Sequence, residues 1–313
     1  MNILITGGAG FICSHLTERL IGRGDTVLVI DNYSTARRDN LKAMDNLTIV
    51  EGDIANTDLM SKLYVQFQPE VVVHAAASYK DPDDYISDMQ TNGVGTAVVV
   101  KESRKHEVKR LIYLQTALCY GDPQEQPITL GHPMEPSGSS YAISKTAGEY
   151  YVRQSELDHV IFRLANAYGP RNLSGPVPTF YKRLSEGKKC FVMDTRRDFI
   201  FISDMVDILE KAVDGTGICG AYHISTGKDY SIKELFDAVV KAMGITLEEE
   251  VEVRERSPDD VFSILLDPSK TQESFGIIPS LPLDEGVAKT IDYYSEYGVE
   301  ETFTHLRIPG KEE

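Results

Sequence analysis

The sequence predicts an α/β fold built on a doubly wound parallel sheet, and three observations carry that prediction. Short β-rich apolar runs alternate with helical patterns from Asn2 to Leu114, the order that sets parallel strands side by side with helices on both faces. The runs at 71–74 and 111–114 are apolar without alternation, as strands covered on both faces must be. The first run leads straight into Gly7-Gly8-Ala9-Gly10 and a helical pattern, giving strand, tight turn and helix in succession.

Taken in order, Asn2-Ile3-Leu4-Ile5-Thr6 is the first strand, and Leu16 and Leu20 mark the buried face of the helix after the glycines. Such a turn lets backbone N–H groups and a helix N-terminus face a pyrophosphate, as in Rossmann dinucleotide sites. Cys13 stands where the usual fingerprint has its third glycine, a small side chain that still takes space between helix and strand. The second strand, Thr26 to Ile30, ends in Asp31, about twenty residues beyond the loop, where a carboxylate accepts both hydroxyls of an adenosine ribose. A 2'-phosphate would be repelled there, so NAD rather than NADP is expected. A strand near Leu47 to Val50, a helix near Asp58 to Phe67, a strand from Val71 to His74, a long helix from Pro82 to His106 and a strand from Arg110 to Leu114 follow. Ligands of such sheets sit beyond the carboxyl ends of the strands, which places Ala75 to Lys80 and Gln115 to Tyr120 at the site. His74 and His15 read as satisfied core residues.

The stretch Ser139-Ser140-Tyr141-Ala142-Ile143-Ser144-Lys145 is the place for chemistry. Four residues apart on a helix, Tyr141 and Lys145 share a face. An ammonium beside a phenol lowers its pKa from about 10 and makes it a usable acid or base near neutrality. Alone, the Tyr-x-x-x-Lys spacing also describes an ordinary exposed helix face.

Beyond residue 170 a helix begins at Gly175-Pro176-Val177-Pro178-Thr179 and runs through Leu184, and Lys182, Arg183, Lys188, Lys189, Arg196 and Arg197 concentrate positive charge. Lys188 and Lys189 read as a solvated face. Strands at Phe199 to Ile202 and Ala221 to Ile224 are expected to return to the main sheet, whereas Ser231 to Met243 and Leu283 to Tyr297 read as helices of a smaller C-terminal α/β lobe. The expected division is a nucleotide-binding domain over 1–170, rejoined by 199–225, and a lobe mainly over 171–313.

Composition narrows the partners. The net charge of −16 over 313 residues argues against nucleic acid or an anionic membrane as the main partner, but leaves an anionic small ligand open. The four cysteines, Cys13, Cys119, Cys190 and Cys219, lie far apart with no Cys-x-x-Cys pair, so neither a metal cage nor a disulfide framework is signalled. Free thiols, with neither a leader before the run at Ile3 nor an apolar stretch of membrane length, fit a cytoplasmic protein.

Together the motifs resemble the extended short-chain dehydrogenase/reductases, the NAD-dependent epimerases and dehydratases of nucleotide-sugars. The likeness is carried by Gly7 to Ile12, Asp31-Asn32, Gly52-Asp53-Ile54, Val73 to Ala77, Thr116 to Gly121, Tyr141 to Lys145, Arg163 to Arg171, Arg197-Asp198-Phe199 and Ser203-Asp204. Tyr79 to Asp84, Gln115 to Gly121 and Pro178 to Leu184 add a likeness to an enzyme of bacterial O-antigen synthesis. The resemblance implies Tyr141 as acid/base, Lys145 as the lysine that binds the nicotinamide ribose and lowers the tyrosine pKa, and Thr116 as the hydroxyl on the reacting oxygen. It implies NAD contacts from Gly7, Gly10, Phe11, Ile12, Asp31, Asn32, Asp53, Ile54, Ala75, Ala77 and Lys145. Asn166 and Arg197 match residues that hold the diphosphate of a nucleotide-sugar, most simply a UDP-sugar, and Thr179 and Tyr181 lie in a segment expected to line the nucleotide pocket. A guanidinium forks onto phosphate oxygens, which suits Arg197. Lys80 is read as a contact to a carboxylate or diphosphate, or as a cap on the helix at Pro82; Arg256 is one residue out of register with a family arginine.

The resemblance also separates reactions. Dehydratases of the family carry Asp-Glu after the catalytic Thr, where this chain has Ala117-Leu118, and a 3,5-epimerase needs a Cys and His pair for which Cys119 lies too deep in its turn. What remains is a 4-epimerase with a transient 4-keto sugar and NAD held through the cycle. The alternatives are a dehydrogenase or decarboxylating oxidoreductase that releases NADH, and a non-catalytic nucleotide-binding scaffold. The family's usual homodimer would form through helices near 85–105 and 141–156. Tyr79, Lys80 and Tyr168 are the positions expected to sort sugars.

Overall fold

The computed structural model describes residues 1–136, 138–256 and 261–303. In chain order its elements are β1 (Asn2–Thr6), α1 (Phe11–Gly22), β2 (Thr26–Asp31), β3 (Leu47–Glu51), α2 (Thr57–Phe67), β4 (Val71–His74), α3 (Tyr85–Asp88), a π-helical segment (Met89–Gly95), α4 (Thr96–Lys105), β5 (Arg110–Thr116), a 3₁₀ turn (Ala117–Tyr120) and α5 (Ser140–Gln154). Then come β6 (His159–Leu164), β7 (Asn166–Tyr168), α6 (Pro176–Ser185), β8 (Phe191–Met193), β9 (Arg196–Arg197), β10 (Phe199–Phe201), α7 (Ile202–Val213), β11 (Gly220–Ile224), β12 (Tyr230–Ser231), α8 (Ile232–Met243), β13 (Glu252–Arg254), β14 (Ser263–Ile264), α9 (Ser269–Phe275) and α10 (Leu283–Tyr297).

Seven parallel strands form the main sheet in the order β11-β6-β5-β4-β1-β2-β3. The order reverses between β1 and β4, and in such sheets a crevice opens there beyond the carboxyl ends. The apolar runs read as fully covered strands are so: Val71 to His74 and Leu111 to Leu114 are buried throughout. A doubly wound Rossmann-type α/β fold is the architecture.

Two expectations are corrected. Phe199–Phe201 does not join the main sheet; it pairs in parallel with Asn166–Tyr168, and Ile202 opens α7. Its phenylalanines bury against Tyr168, with ring centroids at 6.3 and 5.5 Å, so packing beside β7 takes the place of a main-sheet edge. Gly220–Ile224 does return to the sheet, beside β6. The helix expected from Pro82 starts instead at Tyr85, where the Asp84 carboxylate caps the Ser87 N–H at 3.0 Å, and it widens into a π turn across Met89–Gly95. That widening turns Asn92 inward, where its amide bonds Ser78 and the Ser144 hydroxyl. Helices α7 and α9 had no sequence prediction, although α7 has a strongly amphipathic pattern from Ile202 to Val213.

Short sheets β12-β9-β14 and β13-β8, with α6, α8 and α10, make up the smaller α/β part. Helix α8 is closed at its start by a reciprocal capping box between Ser231 and Glu234. Its apolar face, Leu235, Phe236 and Val239, is buried, with Phe236 edge-on to Phe180 of α6 at 5.1 Å.

Gly148 sets how closely α5 approaches the sheet. A Cβ there would lie 2.6 Å from the Tyr113 hydroxyl and 2.7 Å from the Asn92 carbonyl oxygen. Gly148→Ala is therefore expected to lose about 1–3 kcal/mol of stability by overpacking, measured by urea unfolding. A variant as stable as the parent would show that α5 is not held at this distance.

Candidate active site

The first side of the site is the switch-point crevice. Gly7 follows β1 with φ +66°, and a Cβ there would meet the Ala76 Cα at 2.7 Å, so backbone from both sides of the crevice meets here. Helix α1 begins at Phe11 with Gly10 as its cap, no side-chain cap and no acidic residue in its first turn. Its leading amides are thus left for an anion. Asp31 closes the floor: its Oδ2 accepts the Ala9 N–H at 2.9 Å and its Oδ1 the Tyr33 N–H at 2.9 Å. Burial raises its carboxyl above the ordinary value, and the backbone donors pull it back. Asn32 and Asp53 are exposed, Ile54 is buried against Gly95, and Phe11, Ile12, Ala75 and Ala77 are half-buried. Cys13 is buried within the core, its thiol pushed up to about 12 by burial and then by Asp31.

The second side is formed by β5 and α5. Ser139 caps α5 by accepting the Ala142 N–H at 3.3 Å, which starts the helix just before Tyr141. Tyr141 is half-buried, edge-on to Tyr79 with centroids 6.0 Å apart. Burial first, then Tyr79 and Asp88, hold its phenol above the ordinary value, and a hydrogen bond from the Thr116 hydroxyl acts in the opposite direction. Thr116 ends β5, two residues later than the sequence pattern indicates, and its Oγ1 also accepts the Leu118 N–H at 3.2 Å. Lys145 is only 2% exposed, with Nζ over the Tyr113 ring at 4.1 Å. Burial lowers its pKa from 10.5 to about 7, against the pull of Glu149. Placement accounts for this: the amine sits over the Tyr113 ring, where burial disfavours its charged form.

Other expected residues divide. Arg197 is 9% exposed and donates Nη1 to the Arg196 carbonyl at 2.7 Å and to that of Phe262 at 3.2 Å. Asn166 is exposed and reaches the Asp198 carbonyl at 3.3 Å. The Thr179 hydroxyl bonds the Gly175 carbonyl at 2.8 Å, and Tyr181 packs on Tyr294 at 5.2 Å. Lys80 is exposed with Nζ 5.0 Å from the Phe303 ring, and the helix cap comes from Asp84 instead. Lys188 and Lys189 are exposed and paired to Glu186 at 2.6 Å and Glu249 at 2.7 Å, a solvated face as expected. Tyr168 is buried in the core with its hydroxyl toward Leu283, which removes it from sugar selection. His74 is fully buried between Thr6 and Thr96, whereas His15 is only half-buried, bonded to the Pro170 carbonyl at 2.9 Å. Arg256 is exposed, and Ser257 to Asp260, which complete its motif, lie outside the described residues. Among the described residues no His, Cys, Asp and Glu cluster could hold a metal ion, and no helix is long and apolar enough to cross a membrane.

Two groupings were not foreseen. Asp198, fully buried, accepts the Ser225 hydroxyl at 2.5 Å, the Thr226 hydroxyl at 2.7 Å and the Thr226 and Gly227 amides, so that the residue after Arg197 is tied to the loop following β11. Beneath α5, Glu149, Arg163, Gln115, Tyr120 and His223 make one buried polar network. The Arg163 and Arg197-Asp198 motifs were visible in the sequence, but not their pairings.

Comparison with known proteins completes the picture. The profile of the NAD dependent epimerase/dehydratase family matches residues 3–222. The chain is 32% identical to a UDP-glucose 4-epimerase of Mycolicibacterium smegmatis, over 94% of this chain and 98% of the relative. Among solved structures, the Bordetella bronchiseptica enzyme WbmH in complex with NAD⁺ superposes with a TM-score of 0.92 at 55% identity, over 95% of this chain and 99% of WbmH. WbmG from the same organism, in complex with NAD and UDP, gives 0.91 at 44% identity over 99% of each. The glycine turn against Ala76, the uncapped start of α1 and the carboxylate of Asp31 fit a dinucleotide. The chain thus belongs to the NAD-dependent epimerase/dehydratase family, and NAD is its cofactor.

Proposed function

We propose that the protein is a UDP-sugar 4-epimerase, working through a transient 4-keto sugar, in surface polysaccharide or O-antigen synthesis. The observation that carries this reading is the pairing of Tyr141 with Thr116, followed by a turn that carries no carboxylate. Ala117 and Leu118 follow Thr116 in the 3₁₀ turn, which offers neither acid nor base for elimination. Cys119 is fully buried, and burial pushes its thiol up to about 12, so it serves neither as acid nor as base. A sugar oxidised here then turns over in the pocket and is reduced on its other face.

In this reading Gly7, Gly10, Phe11 and Ile12 bind the pyrophosphate, Asp31 the adenosine ribose and Lys145 the nicotinamide ribose, with Asn32, Asp53, Ile54, Ala75 and Ala77 completing the groove. NAD, when bound there, would supply the hydride acceptor and donor. Tyr141 receives the proton of the sugar hydroxyl and gives it back, and Thr116 donates a hydrogen bond to that same oxygen. Arg197 and Asn166 hold the diphosphate, Thr179 and Tyr181 line the nucleotide pocket, and Lys80 lies at its rim. UDP in the WbmG structure supports a uridine nucleotide. A homodimer is part of the proposal: Ile86 on α3, 80% exposed, and Ile143, Tyr150 and Tyr151 on α5 are exposed apolar side chains that a second copy would cover.

Three outcomes follow. Incubated with UDP-galactose, UDP-glucose and their N-acetyl and uronic relatives without added NAD, the purified protein is expected to give C4-inverted product from at least one sugar, read by NMR. Stoichiometric NADH release instead would mark a dehydrogenase. Tyr141→Phe is expected to lose about 10²–10⁴-fold in kcat while retaining NAD, and a fully active variant would remove the mechanism. In the NAD-free protein, Lys145 binds fewer protons than in the unfolded chain between about pH 7 and 10.5, so stability rises with pH across that window. Relative to the parent, Lys145→Met should have its full thermal advantage below about pH 7 and lose it progressively toward pH 10.5.

A further inference from the structure

We infer that Gln115 is the positioning residue of Thr116, the middle link of a buried chain from Arg163 through Glu149 to the Thr116 amide. The inference rests on the reading of Thr116 as the hydroxyl beside the reacting oxygen. Glu149 lies one turn beyond Lys145 on α5 and is fully buried. Arg163 of β6 donates Nη2 to its Oε1 at 2.5 Å and Nε to its Oε2 at 3.2 Å, and Gln115 of β5 donates Nε2 to Oε2 at 3.2 Å. The other end of the Gln115 amide, Oε1, accepts the backbone N–H of Thr116 at 2.8 Å.

A glutamine amide has one donating and one accepting end, so anchoring Nε2 on Glu149 decides where Oε1 faces. That oxygen then holds the Thr116 peptide at the point where β5 stops and the 3₁₀ turn begins. Thr116 has two tasks there, capping the turn through the Leu118 N–H and reaching the Tyr141 phenol. An apolar residue of equal size at 115 would leave the Thr116 N–H and a Glu149 lone pair unmatched. One carboxylate thereby serves both halves of the site, since Glu149 also favours the charged form of Lys145.

The test is Gln115→Met, which keeps the volume and removes both amide ends, in NAD-loaded enzyme with UDP-galactose as probe. We expect kcat to fall roughly tenfold, with KM and bound NAD unchanged, because aim rather than binding is disturbed. In a Thr116→Ala background the same change should lower kcat no further; an equal fall in both backgrounds overturns the inference. Amide hydrogen exchange of the NAD-loaded protein gives a readout that needs no turnover. Exchange at Thr116 should quicken while the α5 peptides keep their protection, and unchanged exchange at Thr116 overturns the inference. A parent protein that inverts no UDP-sugar would instead overturn the proposed function, with the exchange result still deciding this one. Should Gln115→Met fail to fold, Gln115→Asn, one methylene too short to bridge, is measured the same way with the same two outcomes.

Discussion

A carboxylate sealed in a protein interior carries a heavy desolvation cost unless every lone pair finds a donor, and Glu149 sits under that constraint. Arg163 meets it through two nitrogens, and Gln115 supplies a third donor. Removing one partner from such a pair costs about 3–5 kcal/mol, because the other is left buried and unmatched. The arrangement reaches well past the pair. Arg163 also donates to the Tyr120 hydroxyl at 2.6 Å, Tyr120 meets His223 Nε2 at 2.5 Å, and His223 bonds the Asp267 carbonyl at 2.9 Å. Helix α5, strands β5, β6 and β11 and the segment before α9 are thus joined beneath the site by hydrogen bonds that tolerate little displacement.

On that support the crevice is shaped by close approach. Gly7 brings the β1 turn against Ala76, and Gly148 brings α5 against Tyr113 and Asn92. The π turn adds the room that lets Asn92 point inward and tie Ser78, in the loop after β4, to Ser144 on α5. Each device places backbone or a small side chain where a larger group would push the two walls of the groove apart.

Electrostatically, the site is governed by burial more than by pairing. Both Tyr141 and Lys145 are displaced toward their neutral forms, the phenol upward and the amine down to about 7. The wider chain is acidic, and its basic run is absorbed locally: Lys188, Lys189 and Arg196 each face a carboxylate. Arg197 is oriented by backbone, its Nη1 donating to the Arg196 and Phe262 carbonyls.

The sequence by itself determined the class of fold, the glycine turn with its acidic partner at Asp31, and the Tyr141 and Lys145 spacing, because each is written in short-range periodicity or within a single strand-helix-strand unit. It also showed that Thr116 follows a buried strand, since the apolar run at 111–114 ends just before it. Only the tertiary structure decided that Phe199–Phe201 pairs with β7, that Tyr168 is core, that the amine of Lys145 rests on Tyr113, and that Glu149 meets Arg163 and Gln115. Those outcomes depend on which distant segments compete for the same edge, cavity or lone pair. Local propensity has no means of ranking such competitors, whereas burial ranks them at once, through the cost of leaving a polar group unmatched.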